Sequence, residues 1–256
     1  MLGSVYDLET RKRTLALLDQ GFSQNAVSRR TGISRAAIRS WRVRTEPLDR
    51  SAACPRCGDT PLAPQDPVAY SYLLGLYLGD GCISADRRGV YCLRIACADA
   101  WPGLIDACAA AVLKVRPTNK VCRVSRPGCQ YVTCSSKHWP CFFPQHGPGK
   151  KHDREIVLEP WQRTVVDAHP WDFVRGLIHS DGCRITNWTT RRIGGALRRY
   201  EYPRYFFTNL STDILALFTG ALDLVGVEWK QANSRNISVA RRASVALMDA
   251  HVGPKY

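Results

Sequence analysis

The chain has 256 residues of ordinary globular composition, 45% hydrophobic and 23% charged, which excludes a wholly disordered protein. This length suits roughly two or three modest domains better than a single core. The 36 lysines and arginines outnumber the 22 aspartates and glutamates, so the formal net charge is +14. Such an excess favours a polyanionic partner, and nucleic acid is the commonest one.

The sequence lacks the patterns of export and of membrane insertion. No run of 18 apolar residues occurs, and the basic segment 1–13 is not followed by the apolar core of a secretory signal. The 11 cysteines are odd in number and several stand in apolar surroundings, so we expect reduced thiols. We therefore expect a cytoplasmic protein, nucleoid-associated if bacterial, that does not bind membranes.

Residues 1–48 predict three short helices with the spacing of a helix-turn-helix. Glycines end the first two helices, and serines cap the second and third. Ile38 and Trp41 share one face of the third helix. Three arginines of this helix are expected to point outward: Arg35, Arg39 and Arg42. Such a helix fits the major groove of DNA, and we favour this interpretation over a helical bundle with a solvated basic face.

Residues 49–65 are rich in Pro, Ala and Asp and are predicted to be a linker. They contain CPRCG, in which Cys54 and Cys57 have the spacing of a zinc knuckle. A closed structural zinc site needs four ligands, and no second C-x-x-C occurs in the chain. Two interpretations stay open: half of a zinc site completed by the folded body, or a pair of unbound thiols.

The rest of the chain repeats itself at an interval of about a hundred residues. The pattern G-L-x-x-x-D-G-C occurs in YLLGLYLGDGCIS and again in FVRGLIHSDGCRI, which places Asp80 and Asp181 101 residues apart. This interval is too long for a solenoid unit. It predicts two pseudo-symmetric halves, residues 66–160 and 161–256, within one monomer.

Each copy of the motif predicts a helix that begins at a proline and ends at the aspartate. We expect the next residue, Gly81 or Gly182, to stop the helix in the left-handed conformation. Small residues stand four apart on one face of each helix: Gly75 and Gly79, then Gly176 and Ser180. If the halves meet along these faces, the two aspartates arrive side by side at the helix C-termini.

Two carboxylates at helix C-termini are electrostatically unfavourable, because the helix dipole and their mutual repulsion both oppose ionisation. A divalent cation removes the conflict, since carboxylate and carbonyl oxygens are the ligands that Mg²⁺ prefers. Paired metals about 4 Å apart can clamp the attacking and leaving oxygens at a scissile phosphate. Two symmetry-related acids could therefore act on the two strands of one duplex.

The motifs LLGLYLGDG and VRGLIHSDG resemble those of LAGLIDADG homing endonucleases of the single-chain, two-motif kind. The resemblance covers about residues 66–255. It implies an α+β fold in which two αββαββα halves form a DNA-binding saddle, here preceded by the small all-α domain. It also implies that Asp80 and Asp181 bind the catalytic Mg²⁺ or Mn²⁺, with the backbone carbonyls of Gly79 and Ser180 as further ligands.

Two departures from the family pattern need an explanation. The sixth motif position holds Leu78 in one copy and His179 in the other, where the family name has Asp, but that position is not the metal ligand. A third stretch, PGLIDACAAA, spells part of the motif, yet Cys108 stands where an aspartate is needed. We reject it as a site. No splicing junctions flank the chain, so we expect a freestanding protein.

The resemblance further implies basic side chains near the acids. Lys137 aligns with Arg242 at an offset of 105 residues, and it could stabilise developing phosphate charge or simply contact phosphate. Lys150 and Lys255, beside repeated Gly-Pro turns, are further candidates for phosphate contact. The remaining DNA-binding candidates are arginines of the predicted strands and hairpins: Arg87, Arg88, Arg123, Arg126, Arg184, Arg191, Arg192, Arg198 and Arg199.

The sequence thus predicts a site-specific endonuclease for double-stranded DNA that uses a divalent metal. The alternative is a DNA-binding transcription regulator built on the same scaffold without cleavage. Decayed scaffolds tend to lose the acid pair, and both acids are present here, which favours the enzyme. An RNA-splicing cofactor would need neither acid and stays open as a third class.

Overall fold

The computed structural model describes residues 8–43, 45, 64–86 and 89–256. The chain divides into two compact units, Met1–Asp59 and Thr60–Tyr256. Four residues that the sequence singles out lie outside the described part: Cys54, Cys57, Arg87 and Arg88.

The first unit contains three helices with the predicted local structure: α1 (Leu8–Asp19), α2 (Gln24–Thr31) and α3 (Arg35–Val43). Ser23 Oγ accepts a hydrogen bond from the backbone of the first turn of α2, and Gly32 ends that helix in the left-handed conformation with φ 71°. Ile38 and Trp41 are buried in a small core between the helices. Helix-turn-helix function in DNA binding stays a prediction.

The second unit is an α+β structure made of two halves, each of which contains the order αββαββα. The first half consists of α4 (Pro67–Asp80), β1 (Gly81–Ala85), β2 (Tyr91–Ala98), α5 (Pro102–Val115), β3 (Val121–Arg126), β4 (Cys129–Ser136) and α6 (Trp139–Phe142). A short helix, α7 (Pro160–Ala168), precedes the second. The second half consists of α8 (Pro170–Asp181), β5 (Gly182–Ile193), β6 (Ala196–Thr208), α9 (Thr212–Leu224), β7 (Lys230–Asn233), β8 (Asn236–Val239) and α10 (Arg242–His251).

The two halves have the same sheet topology. The first sheet has the strand order β1-β2-β4-β3 and the second β5-β6-β8-β7, with all neighbouring strands antiparallel. In each sheet one face packs against helices through buried residues such as Leu93, Val132, Phe207 and Ile237. The other face, here called the helix-free face, carries mostly exposed or partly exposed side chains among the described residues of the second unit, such as those of Cys82, Thr133 and Phe206. This arrangement is the predicted pair of αββαββα halves.

The halves meet where α4 and α8 pack with their backbones in direct contact. A Cβ built on Gly75 would lie 2.6 Å from the backbone oxygen of Phe173, and one built on Gly176 would lie 2.2 Å from that of Tyr72. No larger side chain fits at either position without a shift of the backbone. The predicted seam between the two motif helices is therefore confirmed.

Apolar and polar contacts flank this seam. Helix α4 is buried on all sides, from Ala69 to Leu78, because it packs against α8, α5 and its own sheet. Tyr72 from α4 lies with its hydroxyl 2.9 Å from Nδ1 of His179 in α8, and the two rings meet edge to face. The sixth motif position is thus a packing position between the halves, and burial lowers the pKa of His179 to about 4.

The glycines after the two aspartates do not have the predicted left-handed conformation. Gly81 has φ −87° and Gly182 has φ −102°, both extended, because each helix continues directly into the first strand of its half. Glycine is required there for space. A Cβ on Gly81 would lie 2.5 Å from Cα of Tyr77, and one on Gly182 would lie 2.7 Å from Cα of Ile178.

Among the helices in the described ranges, none is both long and apolar enough to cross a bilayer.

The seam gives a prediction about stability. We expect Gly75→Ala and Gly176→Ala to destabilise the protein by about 1–3 kcal/mol, because each new methyl group meets backbone atoms. Gly220→Ala in α9 is the matched control, since a Cβ there meets nothing within 4 Å and alanine favours the helix by about 0.4–1 kcal/mol. Urea unfolding measures all three. Equal effects at the three positions would contradict the close contact.

Candidate active site

The seam ends with the two motif aspartates at neighbouring positions. Gly79 and Ser180 are the last residues before them, and a Cβ on Gly79 would lie 2.1 Å from Oγ of Ser180. The same Cβ would lie 3.2 Å from Oδ2 of Asp181. The helix ends are therefore in close contact between Gly79 and the side chain of Ser180, and the structure brings Asp80 and Asp181 together as the pattern of small residues predicts.

The ammonium group of Lys151 covers the end of α4. Its Nζ donates hydrogen bonds to the carbonyl oxygens of Tyr77, Gly79 and Gly81 at 2.5, 2.7 and 2.8 Å. These carbonyls lie at the C-terminal end of the helix, where the negative end of its dipole favours a cation. Lys151 therefore places a positive charge beside Asp80.

Lys255 makes the equivalent contact in the second half. Its Nζ donates to the carbonyl oxygen of Ser180 at 2.9 Å. The family resemblance implies the carbonyls of Gly79 and Ser180 as metal ligands. Both accept a hydrogen bond from an ammonium group. Two carboxylates and two ammonium groups meet in this cluster.

The pKa values of these groups are shifted toward neutrality. Burial of the carboxylate and the charge of Asp181 raise the pKa of Asp80 to about 6, although the residue keeps one side exposed to solvent. Burial also raises the pKa of Asp181, against the hydrogen bond from Asn209 and the charges of the lysines. Burial lowers the pKa of Lys151 to about 8 and lowers that of Lys255. Burial therefore disfavours the charged form of each group, and a bound cation or phosphate would change these pKa values.

A cavity of about 490 Å³ opens beside Asp181, and its walls include the cationic side chains of Lys150, Lys151 and Arg154. Asn209, in the loop after β6, lines it and donates from Nδ2 to Oδ2 of Asp181 at 2.7 Å. His146, packed edge-on against Tyr91, lines it as well. A cavity that is lined by Asp181 and by these cations can admit a phosphate group of a ligand.

The segments that carry the two lysines cross from one half to the other. After Lys151 the chain continues to Ile156, whose backbone N–H donates to Oδ2 of Asp213 in the first turn of α9 at 2.8 Å. After Lys255, Tyr256 O accepts from the backbone N–H of Leu104 at the start of α5 at 3.1 Å. The segment of Lys151, which contacts α4 of the first half, is thus bound to the second half. The segment of Lys255, which contacts α8 of the second half, is bound to the first.

The other basic candidates of the sequence have surroundings that differ from those of Lys151 and Lys255. Lys137 is exposed at the end of β4, and Lys150 is exposed on the wall of the cavity. The repeat offset of 105 residues selected Lys150 as the partner of Lys255, whereas the structure gives that position to Lys151. The doubled lysine of the first turn, GKK against GPK, conceals this shift of one residue. His251 stacks on Trp171 with a centroid distance of 4.1 Å and is a packing residue.

Two arginines of the predicted DNA surface lie on the helix side of their sheets. Arg123 pairs with Val132 in the register of the first sheet and forms an ion pair of 2.6 Å with Asp106 of α5. Arg184 donates to both carboxylate oxygens of Asp249 in α10, at 2.6 and 2.8 Å. The alternation of side chains along a strand could have predicted this orientation, because Arg123 and Arg184 point to the same side of their sheets as the buried residues. We remove both from the proposed DNA surface.

The remaining arginines are exposed. Arg126 lies on the helix-free face of the first sheet, in register with Cys129. The hairpin of β5 and β6 carries the other four, Arg191, Arg192, Arg198 and Arg199. In the first unit, three arginines of α3 are exposed: Arg35, Arg39 and Arg42.

The shifted pKa of Asp80 predicts a pH-dependent effect of its replacement. A carboxyl pKa that is raised on folding lowers stability once the unfolded chain ionises, so the cost of Asp80 begins near pH 4 and is complete above about pH 6. We expect Asp80→Asn to stabilise the metal-free protein at pH 7.5 and to have no effect below pH 4. Urea unfolding at the two pH values measures this. A gain of equal size at both would show that the charge is not its cause.

Comparison with known proteins identifies solved structures of related fold. No family model and no curated protein matches the chain. The match to the LAGLIDADG meganuclease I-AabMI bound to uncleaved DNA covers 71% of this chain and 83% of the meganuclease chain, with 11% sequence identity and a TM-score of 0.45. I-DmoI in complex with DNA and Mn matches 74% and 99% at 12% identity, with a TM-score of 0.46. The N-terminal LAGLIDADG domain of DUF199/WhiA matches 74% and 83% at 15% identity, with a TM-score of 0.44. These solved structures belong to the family that the two motifs of this sequence resemble.

Proposed function

We propose that the protein is a divalent-metal-dependent endonuclease that cleaves double-stranded DNA. The observation that carries this proposal is the convergence of Asp80 and Asp181, one from each half, where the backbones of α4 and α8 touch. The pseudo-twofold relation between the halves suits a duplex, whose two strands present their phosphates in opposite directions.

The residues at this point fit a divalent cation. The donors are oxygens only: two carboxylates and the carbonyls of Gly79 and Ser180, which is the ligand chemistry of Mg²⁺ and Mn²⁺. Both carbonyls accept a hydrogen bond from a lysine ammonium group, which supports a position there for positive charge. A bound cation would act as a Lewis acid and lower the pKa of a water molecule.

The chain's own residues would perform the other tasks. Asn209 holds the carboxylate of Asp181 in a fixed orientation through its hydrogen bond. Lys151 and Lys255 stand within reach of the acids, so their ammonium groups can stabilise the negative charge that develops on a phosphate during cleavage. Asp80 and Asp181 must be ionised to hold a cation, which requires a pH above the raised pKa of Asp80.

The helix-free faces of the two sheets would bind the duplex through the exposed arginines that lie on them, such as Arg126, Arg191 and Arg198. The net charge of +14 supports long-range attraction to the phosphates. We propose that helix α3 of the first unit adds a further contact through its exposed arginines, in the manner of a recognition helix. These contacts position the duplex and contribute affinity.

A DNA-binding regulator without cleavage is the second candidate, and one observation favours it. Lys151 and Lys255 already neutralise the charges of the two acids, so the cluster is electrostatically balanced without a metal. In that role the acids and lysines would serve to hold the halves together.

The two candidates predict different results for substitutions of the acids. A library of random duplexes is incubated with the protein in Mg²⁺ or EDTA, and sequencing of the ends identifies the cleaved site. We expect Asp80→Asn and Asp181→Asn each to abolish double-strand cleavage of that site while binding in a gel shift is retained, because the amide keeps the shape but not the charge that recruits the metal.

Lys137→Ala is the control, since that side chain is exposed at the end of β4 and we expect its rate to change little. Cleavage that survives both aspartate substitutions would refute the assignment of the site. A wild-type protein that binds its selected duplex tightly but never cuts it, in Mg²⁺ or Mn²⁺, would favour the regulator.

A further inference from the structure

The two halves differ in the number of residue pairs in their first hairpin. Strands β1 and β2 form five residue pairs, from Gly81↔Ile95 to Ala85↔Tyr91, whereas β5 and β6 form twelve, from Gly182↔Phe207 to Ile193↔Ala196. Only the inner four residues of β6 pair with β8. The outer part is therefore a two-stranded ribbon that extends beyond its sheet, closed by Gly194 and Gly195 with φ 57° and 84°.

The ribbon is exposed along its length and has two chemically different faces. Because side chains alternate, residues in phase with Cys183 continue the helix-free face of the sheet. On this face stand Asn187, Thr189, Arg191, Ile193, Ala196, Arg198, Tyr200, Tyr202 and Arg204. None of these nine is acidic, and Arg191 lies directly opposite Arg198. Like charges in directly opposed positions destabilise an isolated ribbon, so this face favours a polyanion.

The opposite face compensates part of its own charge, although Arg192, which pairs with Leu197, also lies on it. Arg199 forms an ion pair of 2.7 Å with Glu201 and stacks over the ring of Trp188 at 4.9 Å. Nearer the sheet, Arg184 is held by Asp249. The acidic partners thus lie on one face and the unopposed arginine pair on the other, so the face of Arg191 and Arg198 carries the larger net positive charge.

We propose that this ribbon extends the DNA contact on one side only, so that the protein recognises an asymmetric duplex whose longer half-site is bound by the second half. The inference rests on the proposed function in that it requires the helix-free faces to bind duplex DNA; it does not require cleavage. Arg191 and Arg198 are assigned as contacts to the outer part of the longer half-site.

Dimensions support the fit. Seven additional residue pairs at about 3.3 Å per residue lengthen the hairpin by about 23 Å. At about 3.4 Å per base pair, this length spans up to about 7 further base pairs. The major groove is about 12 Å wide and admits a two-stranded ribbon. Arg, Asn, Thr and Tyr side chains on its basic face can contact phosphates and base edges.

The experiment compares two double variants of the full chain that differ only in the face of the ribbon they change. Duplexes selected by binding from a random 50-base-pair library are footprinted with hydroxyl radicals, in Ca²⁺ or without metal. For the wild type we expect a footprint that extends farther on one side of its centre. For Arg191→Ala/Arg198→Ala we expect loss of protection in the outer part of that flank, and affinity weakened on the order of tenfold to a hundredfold.

The control is Arg192→Ala/Arg199→Ala, which removes the same charge from the opposite face and should keep the footprint. Thermal unfolding of both variants verifies the fold, which we expect to be unchanged because all four arginines are exposed. A symmetric wild-type footprint, or equal losses for both variants, would overturn this inference and leave the proposed function intact. Binding of structured RNA in place of duplex DNA would overturn both.

Discussion

The contact between the backbones of α4 and α8 is the constraint on which the rest of the second unit depends. Gly75 and Gly176 allow the helix axes to approach until a Cβ on either would meet backbone atoms at less than 3 Å. That approach aligns the helix ends, and the helix ends carry the acids. A wider crossing, with ordinary side chains between the helices, would separate Asp80 from Asp181 and remove the basis for a shared metal or phosphate site.

The close approach of Asp80 and Asp181 is electrostatically unfavourable, and neighbouring positive charges offset part of this effect. Two carboxylates at the negative ends of two helix dipoles repel each other. Burial raises the pKa of both groups, and the charge of Asp181 raises that of Asp80 further. Lys151 and Lys255 reduce this repulsion, and each is delivered by a segment anchored on the opposite half. The acids, the lysines and the seam therefore form one cooperative unit. A change in the packing of the halves would alter the charge balance of the site.

Much of this arrangement could be predicted from the sequence because the repeat specifies it twice. The spacing of Gly75 from Gly176 and of Asp80 from Asp181 predicts a helix pair with two terminal acids, and the family resemblance of the two motifs implies the αββαββα order. Lys151 could not be identified in this way, since a one-residue shift in the loop hides it from an alignment by fixed offset. Its place depends on the path of a loop, which short-range patterns do not determine.

Other failures have equally local causes. The glycines after the acids suggested left-handed helix ends, but the requirement there is space beside Tyr77 and Ile178. Arg123 and Arg184 were assigned to the DNA surface by charge alone, and their strand parity directs them toward Asp106 and Asp249. The contribution of Asn209 depends on a loop that brings it from β6 to Asp181. Such tertiary contacts become visible only when the halves are assembled.

The central claim is that Asp80 and Asp181 together form one cation-binding site at the seam. Electron paramagnetic resonance of free Mn²⁺ tests it directly, with the full chain bound to a selected duplex at pH 7.5. The account predicts that the wild type removes Mn²⁺ from solution and that either Asp80→Asn or Asp181→Asn greatly weakens this binding, because both acids hold the same site. Mn²⁺ binding that is absent from the wild type, or that is unchanged in both variants, would contradict it.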